Sequence, residues 1–300
     1  MSRFYGTNPA DSDSITRDYF DSLLIGTRYI DSDLPSTGLS LFGEKFSTPI
    51  MTAALSHLHN ICDNGMVEFA KGAKATDAVH WVGMGSYEEL ENIIATGARS
   101  VKIIKPHADN DEVFRRIEHA VRNGAFAVGM DIDHAFSGSG GYDNVLGLPM
   151  KPKSEDELRQ FVRAASGVPF IVKGVMSVSD AEKCARAGAR GILISHHHGM
   201  VDYSVPPLMV LPDILRAVGG EVPVFIDCGI ESGMDVFKAL ALGATAVCVG
   251  RALMEPLKGG GSAVAERIGE MNNQLTAIMA RTGMKSLADM TPEVIHHRSF

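Results

Sequence analysis

The sequence predicts an α/β chain folded as a single (β/α)8 barrel, a TIM barrel, with an N-terminal hairpin extension. Three observations carry this reading. Eight short apolar runs recur, at residues 49–54, 78–83, 100–105, 126–133, 168–173, 191–196, 223–227 and 246–250. Most are continuously apolar rather than alternating, as parallel strands covered on both faces require. Between them lie helical patterns such as SYEELENIIATG, DEVFRRIEHAVRNG, EDELRQFVRAA, SDAEKCARAGA and MDVFKALALGA. Several open on Ser or Asp and close on Gly, the residues that satisfy helix ends. An open doubly wound sheet would have fewer strands and a GxGxxG-type fingerprint, and neither is apparent.

In chain order, residues 1–48 form the extension and residues 49–300 the barrel. Residues 38–42 and 45–48 flank Gly43-Glu44, which reads as a β-hairpin able to plug the barrel floor. Residues 137–152, rich in Gly, Ser and Pro, follow the fourth strand and therefore fall at the barrel mouth. They read either as a lid or mobile loop, or as a connector without a role. Residues 222–251 hold two strands joined by a helix beginning at Gly233. The first strand ends in Asp227-Cys228-Gly229 and the second in Gly250-Arg251. Paired Gly-bearing turns can aim backbone N–H groups at a phosphate, and barrels commonly hold phosphate after strands seven and eight. Residues 258–262, with three glycines, join the last strand to the final helix.

Composition narrows the partners. At 45% hydrophobic content, 300 residues can bury a large core, and no second domain is evident. The formal charge of −8, with no long basic run, argues against nucleic acid or an anionic membrane as partner. No apolar run approaches the roughly 20 residues that span a bilayer. The stretch MSRFYGTNPADSDS lacks the apolar core of a signal peptide. Cys62, Cys184, Cys228 and Cys248 form no CxxC pair, which suits a reduced cytoplasmic setting. Cys248 alternates with valines as core, whereas Cys228 stands beside the phosphate turn.

In such barrels the working groups sit at the C-terminal ends of strands. Those ends offer Ala53, Ala54, Gly83, Lys102, Lys105, Asp131, Asp133, Lys173, Ser195 to His198, Asp227, Gly250 and Arg251. Alternation along a strand places Ser195 and His197 on one face, His196 and His198 on the other, and Asp131 with Asp133. Lys173 ends the apolar run VPFIVK, where its ammonium must reach solvent or meet a buried anion.

The segment VPFIVKGVMSVSDAEKCARAGARGILISHHHG, with DCG and GR downstream, resembles FMN-dependent α-hydroxy-acid oxidases and dehydrogenases, the glycolate oxidase and lactate oxidase family. The likeness is close over about residues 165–257 and extends loosely to STPIMTAA and GSYEEL. It implies an FMN cofactor and a small-molecule substrate. By the resemblance, Lys173 contacts the flavin N1/O2 edge, where a positive charge stabilises the reduced ring. Counting from Lys173, His197 falls on the family's base, and imidazole suits proton abstraction near neutrality. A one-residue shift would put His198 there instead. Asp227, Gly229, Gly250 and Arg251 match the phosphate turns, and Ala53 and Ala54 the strand beside the isoalloxazine. Gly83, Lys102, Asp131 and Ser195, at further strand ends, complete the cofactor set. Asp131 and His198 join His197 and Lys173 as candidate catalytic groups.

The departures share one direction. The arginine that grips the substrate carboxylate three residues after the base is Met200 here. The substrate tyrosine of the third strand aligns with Ile104. The second carboxylate-binding arginine falls near Gly140, and the arginine after the DGG-like turn is Glu231. Methionine cannot supply bidentate recognition, so the substrate is expected not to be a simple α-hydroxy acid, unless Lys102, Lys105 or His134 supplies the cation. Two other readings stay open. One is a flavin-dependent isomerase without net oxidation, since FDSLL and LFGEKFSTPIM are loosely similar to type 2 isopentenyl diphosphate isomerases. The other is a metal-assisted lyase or hydrolase on the same scaffold. Three consecutive histidines rarely meet one ion, and a metal would recruit one of them with Asp131, Asp133 or His134; no metal is expected. The resemblance also implies a homo-oligomer.

Overall fold

In the computed structural model of the protein, residues 8–298 are described. Residues 1–7, which belong to the extension and to the stretch read for a leader, lie outside the described residues. Eight parallel strands form one sheet: β1 (Ile50–Thr52), β2 (His80–Val82), β3 (Ser100–Ile104), β4 (Ala127–Asp131), β5 (Phe170–Val175), β6 (Gly191–Ile194), β7 (Val224–Ile226) and β8 (Ala246–Val249). Neighbours in sequence are neighbours in the sheet, and β8 returns to pair with β1 through Val247 and Ile50. The ring closes between β1 and β2 by a bridge from Leu55 to Val82 and a 3.2 Å bond from Thr52 N–H to the Val79 carbonyl.

Outside the strands lie α1 (Ser12–Ser22), α2 (Gly65–Ala75), α3 (Tyr87–Ala95), α4 (Asn110–Arg122), α5 (Glu155–Ala164), α6 (Val178–Ala187), α7 (Pro207–Val218), α8 (Gly233–Ala241), α9 (Arg251–Leu257) and α10 (Gly260–Arg281). Ser and Asp caps of the expected kind are present, at Ser86 as read and elsewhere one or two residues ahead of the patterns read in sequence. Ser86, Asp109, Ser154, Ser177 and Ser232 each accept a backbone N–H at the start of a helix, and Gly188 closes α6 in the left-handed region. Such caps contribute about 1 kcal/mol apiece.

Period-two alternation decides what faces the barrel interior. Met51, Trp81, Val101, Ile103, Ile171, Leu193, Phe225 and Cys248 fill it, with Trp81 edge-on to Phe225 at 5.6 Å. One step further toward the mouth on the same inward face come Lys105, Asp131, Lys173, Ser195 and Asp227. The opposite parity, including Ile104, packs under the helices.

The floor hairpin pairs Leu39–Leu41 with Glu44–Phe46. Its turn is Phe42-Gly43, both at positive φ, one residue earlier than Gly43-Glu44. Two left-handed residues give the turn whose twist matches paired strands. Leu39, Leu41 and Phe46 enter the interior cluster and seal that end.

Several strand ends differ from the apolar runs. β4 stops at Asp131 and turns through a 3-10 segment, Ile132–Ala135, so Asp133 leaves the strand. β6 stops at Ile194, so the histidines lie on a turn rather than on alternate strand faces. β5 runs on to Val175 with a register shift between Lys173 and Val175. Residues 137–152 contain an ordered hairpin, Asn144–Val145 with Leu148–Pro149, tied by a bridge between His107 and Met150.

The extension also holds helix α1, capped by Asp11. Its buried face is Ser12, Thr16 and Phe20, an i, i+4, i+8 series with one apolar member, too polar to announce a core-facing helix. The strand after it, Leu23–Ile25, pairs antiparallel with Ile295–His297, 270 or more positions further along the sequence.

Candidate active site

A cavity of about 590 Å³ opens at the C-terminal ends of the strands, within the size range of ligand pockets. One end is walled by Ala53, Ala54, Met84 and Ile103 and carries Lys105, Asp131, Lys173, His134, His197 and His198. The other is formed by residues 227–231 and 250–252 together with Arg267.

At the first end a charged network is almost wholly buried. Lys173 Nζ lies 3.2 Å from Asp131 Oδ1, 3.6 Å from Asp133 Oδ2 and 3.0 Å from His197 Nδ1. Lys105 Nζ donates to Asp131 Oδ2 at 2.7 Å. Burial alone would raise the Asp131 carboxyl, but Lys173 and Lys105 overcome it and hold it well below the ordinary carboxylate range. Asp133 goes the other way, raised by burial and by the like charge of Asp131. Burial would lower Lys173, yet Asp131, Asp133 and Asp227 raise it, so its ammonium stays charged.

His197 sits at φ 51°, a backbone region that non-glycine residues seldom adopt and that marks functional turns. Its Nδ1–H donates to Asp133 Oδ1 at 2.9 Å, and its Nε2 faces His134 Nε2 at 3.1 Å. His134 Nδ1 in turn donates to Asp143 Oδ2 at 3.1 Å. Burial pulls His197 down, but hydrogen bonds to Asp131 and Asp133 outweigh it and hold the imidazole above its ordinary value. Burial and nearby cations hold His134 below. These directions and the bonding pattern agree on a proton carried between the two rings by His197.

The histidine run divides its labour. His196 is buried and neutral: its Nδ1 accepts from Gly199 N–H at 3.0 Å, so its Nε2–H donates to Thr16 at 2.7 Å. His198 lies at the rim, its ring 5.3 Å from that of His197, and burial and the His197 charge lower it.

Gly174 explains the Lys-Gly dipeptide. At φ +90° its Cα backs onto Asp133, where an added Cβ would stand 2.6 Å from Oδ2. Gly174→Ala is therefore expected to push Asp133 off His197 and lower flavin reduction about 100-fold, the cost of an ångström-scale misplacement. Stopped-flow absorbance checks this, with the flavin content of the purified variant unchanged.

Most residues singled out in sequence line the cavity; Asp133 and His196 stand behind its lining, and Lys102 and Ser195 do not reach it either. Lys102 has outward parity on β3 and donates to the Gly83 carbonyl. Burial, Arg116 and Lys105 depress it to about 7, so it supports Gly83 from behind. Ser195 lies beneath the floor, accepting from His197 N–H at 3.1 Å. Ile104 likewise faces the helices, whereas its neighbours Ile103 and Lys105 face the cavity; the substrate-facing position on this strand is Lys105. Gly140 stands in an exposed turn away from the cavity. Met200 is 38% exposed and is not among the residues lining the cavity. Asp131, Asp133, His134 and His197 place ligand-type atoms within 4.8 Å of one another, and the same carboxylates already bind the ammonium of Lys173.

At the second end, Cys228 and Gly229 adopt successive positive φ values of 66° and 75°, folding the turn after β7 back under α1. An added Cβ at Gly229 would stand 2.8 Å from Thr16. Arg251 pairs with Asp13 of α1 through both terminal nitrogens, one at 2.8 Å. Arg267 of α10 was not signalled by any strand-end pattern; it donates to the Glu231 carbonyl at 2.8 Å.

The model for FMN-dependent dehydrogenases matches residues 6–162 and 151–297. The chain belongs to the FMN-dependent dehydrogenase family. It is similar to an L-lactate oxidase of Roseobacter sp. (strain GAI101), 31% identical over 294 residues, covering 86% of this chain and 79% of that one. It is also similar to glycolate oxidase 1 of Oryza sativa subsp. indica, 28% identical over 313 residues, covering 92% and 85%. Among solved structures, a mandelate oxidase variant with (S)-mandelic acid superposes with a TM-score of 0.88 at 25% identity, covering 98% of this chain and 92% of that one. Family membership makes the chain an FMN-dependent oxidoreductase. The residues fit the cofactor: apolar Ala53, Ala54 and Ile103 can flank a flat ring, with ammonium groups at one end and guanidinium groups at the other. Among the described residues, no helix is long and apolar enough to cross a membrane.

Proposed function

We propose that this FMN-dependent dehydrogenase oxidises a CH–OH group, with His197 as the base. The observation that carries the reading is the His197–Asp133 pair beside Lys173 in the cavity. Above its raised pKa, His197 has an unprotonated Nε2, 3.1 Å from His134 Nε2, that can take the hydroxyl proton, while Asp133 fixes the ring through Nδ1–H. Lys173 holds positive charge where the reduced ring would accumulate negative charge. Bound FMN supplies the acceptor for the hydride equivalent. The turns at Gly229 and Gly250, with Arg251, would hold its phosphate end, Asp227 standing at the start of the first turn, and Ala53, Ala54 and Gly83 would hold its ring, with Asp131 keeping Lys173 and Lys105 in place. His198 at the rim would help close the site.

The substrate proposed is not a simple α-hydroxy acid. Among the described residues no guanidinium lines the first end of the cavity, and its two lysines are both engaged by Asp131. A carbinol flanked by a neutral or larger apolar group suits Ile103 and Met84 better. Anaerobic mixing with paired hydroxy acids and their esters or amides, following loss of flavin absorbance, tests this: the neutral member of each pair is expected to bleach the flavin faster. Rapid bleaching by lactate or glycolate at micromolar concentration would sink it. Met200→Arg is expected to raise kcat/KM for small hydroxy acids by about tenfold or more, by restoring bidentate binding. The reading also includes a cytoplasmic, self-associating protein, supported by four free cysteines and by the family resemblance.

A further inference from the structure

We infer that Arg267, on α10, joins Arg251 in recognising the phosphate of the flavin nucleotide and makes the cavity select FMN over riboflavin. The inference rests on FMN being the cofactor. The cavity's cations are not equally available to a phosphate dianion. Lys105 and Lys173 are held at the far end by Asp131. Arg251 is gripped by Asp13, a carboxylate only 12% exposed, through both terminal nitrogens.

Arg267 differs. It lines the cavity at the end formed by the turns after β7 and β8. Its NH2 donates to the backbone carbonyl of Glu231, which places the guanidinium against the phosphate turn itself. Its ion-pair partner, Glu270, is 55% exposed, and an exchange of that partner for a ligand costs little. A second cation is needed here, because Asp227, Glu231 and Glu255 line the same end as the single, Asp13-bound Arg251, and Lys258 is taken up by Glu255. A phosphate among three carboxylates is repelled unless a guanidinium stands between them. Arginine suits the task, since its planar fork can keep the Glu231 carbonyl bond and still offer donors to an anion.

The test uses the full chain stripped of flavin and titrated with FMN and with riboflavin, following quenching of flavin fluorescence. Arg267→Met is expected to weaken FMN binding about 30-fold, as for a lost charge-assisted hydrogen-bonding group, and riboflavin binding less than about 3-fold. Arg267→Lys, which keeps a charge and most of the stem, is expected to recover part of the FMN affinity and to fold where the methionine variant does not. Equal losses for the two ligands would mean that Arg267 merely struts the Glu231 turn, and no loss for either would remove it from the site; each result overturns the proposal. If the unmodified chain binds neither flavin, the cofactor assignment itself has failed, which is a separate reading of the same titration.

Discussion

His197→Ala is expected to lower the rate of substrate-driven flavin reduction by roughly 10²–10⁴-fold, the range for loss of a positioned general base. The protein should remain yellow, because the phosphate turns lie at the other end of the cavity. In the unmodified enzyme the rate should fall with falling pH, as His197 becomes protonated. Hydrogen bonds to Asp131 and Asp133 hold its pKa above the ordinary 6.5, so the midpoint of this fall should lie above that of a free imidazole. The alanine variant should lose this limb of the profile. A variant that reduces its flavin at the normal rate would show that another group is the base. His198→Ala is the control for the adjacent ring: its Nε2 and Nδ1 take no part in the network joining Lys173, Asp133 and His134, so its effect should be modest.

Lys173→Met is expected to have the largest effect on stability. It strips the ammonium from two buried carboxylates, and removing one partner of a buried ionic network costs about 3–5 kcal/mol. Thermal or urea unfolding measures the loss. The pH dependence has a definite sign. In the unmodified protein Asp131 has a depressed pKa, so it contributes stability that is present above the ordinary carboxylate pKa and is lost as pH falls through the folded value. In the variant burial is opposed only by Lys105 and His197, so the depression shrinks and Asp131 stabilises the fold less while ionised. The stability gap to the unmodified protein should therefore narrow on acidification below the ordinary carboxylate pKa. Redox titration gives an independent reading: without Lys173 the bound flavin should become harder to reduce. A stable variant with an unaltered potential would remove Lys173 from both roles.

The barrel was legible because its signals are local and repeated: apolar runs of strand length, capped helices and Gly-ended turns. Strand-end parity then found Lys173 and Asp131 without knowledge of the fold. It failed where strands stop early. Asp133 reaches His197 from a 3-10 turn, and His197 from a left-handed turn, so neither orientation follows from alternation. On β3 an error of one residue exchanged Ile104 for Lys105, because a single step flips a side chain to the other face. Other contributions came from far along the chain. Thr16 supports His196 from 180 positions away, and Arg267 belongs to a helix whose sequence reads as an ordinary amphipathic surface. No local pattern could reveal either.

The pairing of Leu23–Ile25 with Ile295–His297 sets an order of assembly. During synthesis the barrel's strands can be laid down one after another, each beside its predecessor, but this clasp must wait until residues 295–297 have left the ribosome. The α1 contacts that border the nucleotide end, Asp13 with Arg251 and Thr16 with His196, belong to the segment so fastened. The prosthetic group's berth is thus fully walled only once residues 295–297 are in place, and a polypeptide cut short before them would keep it ajar.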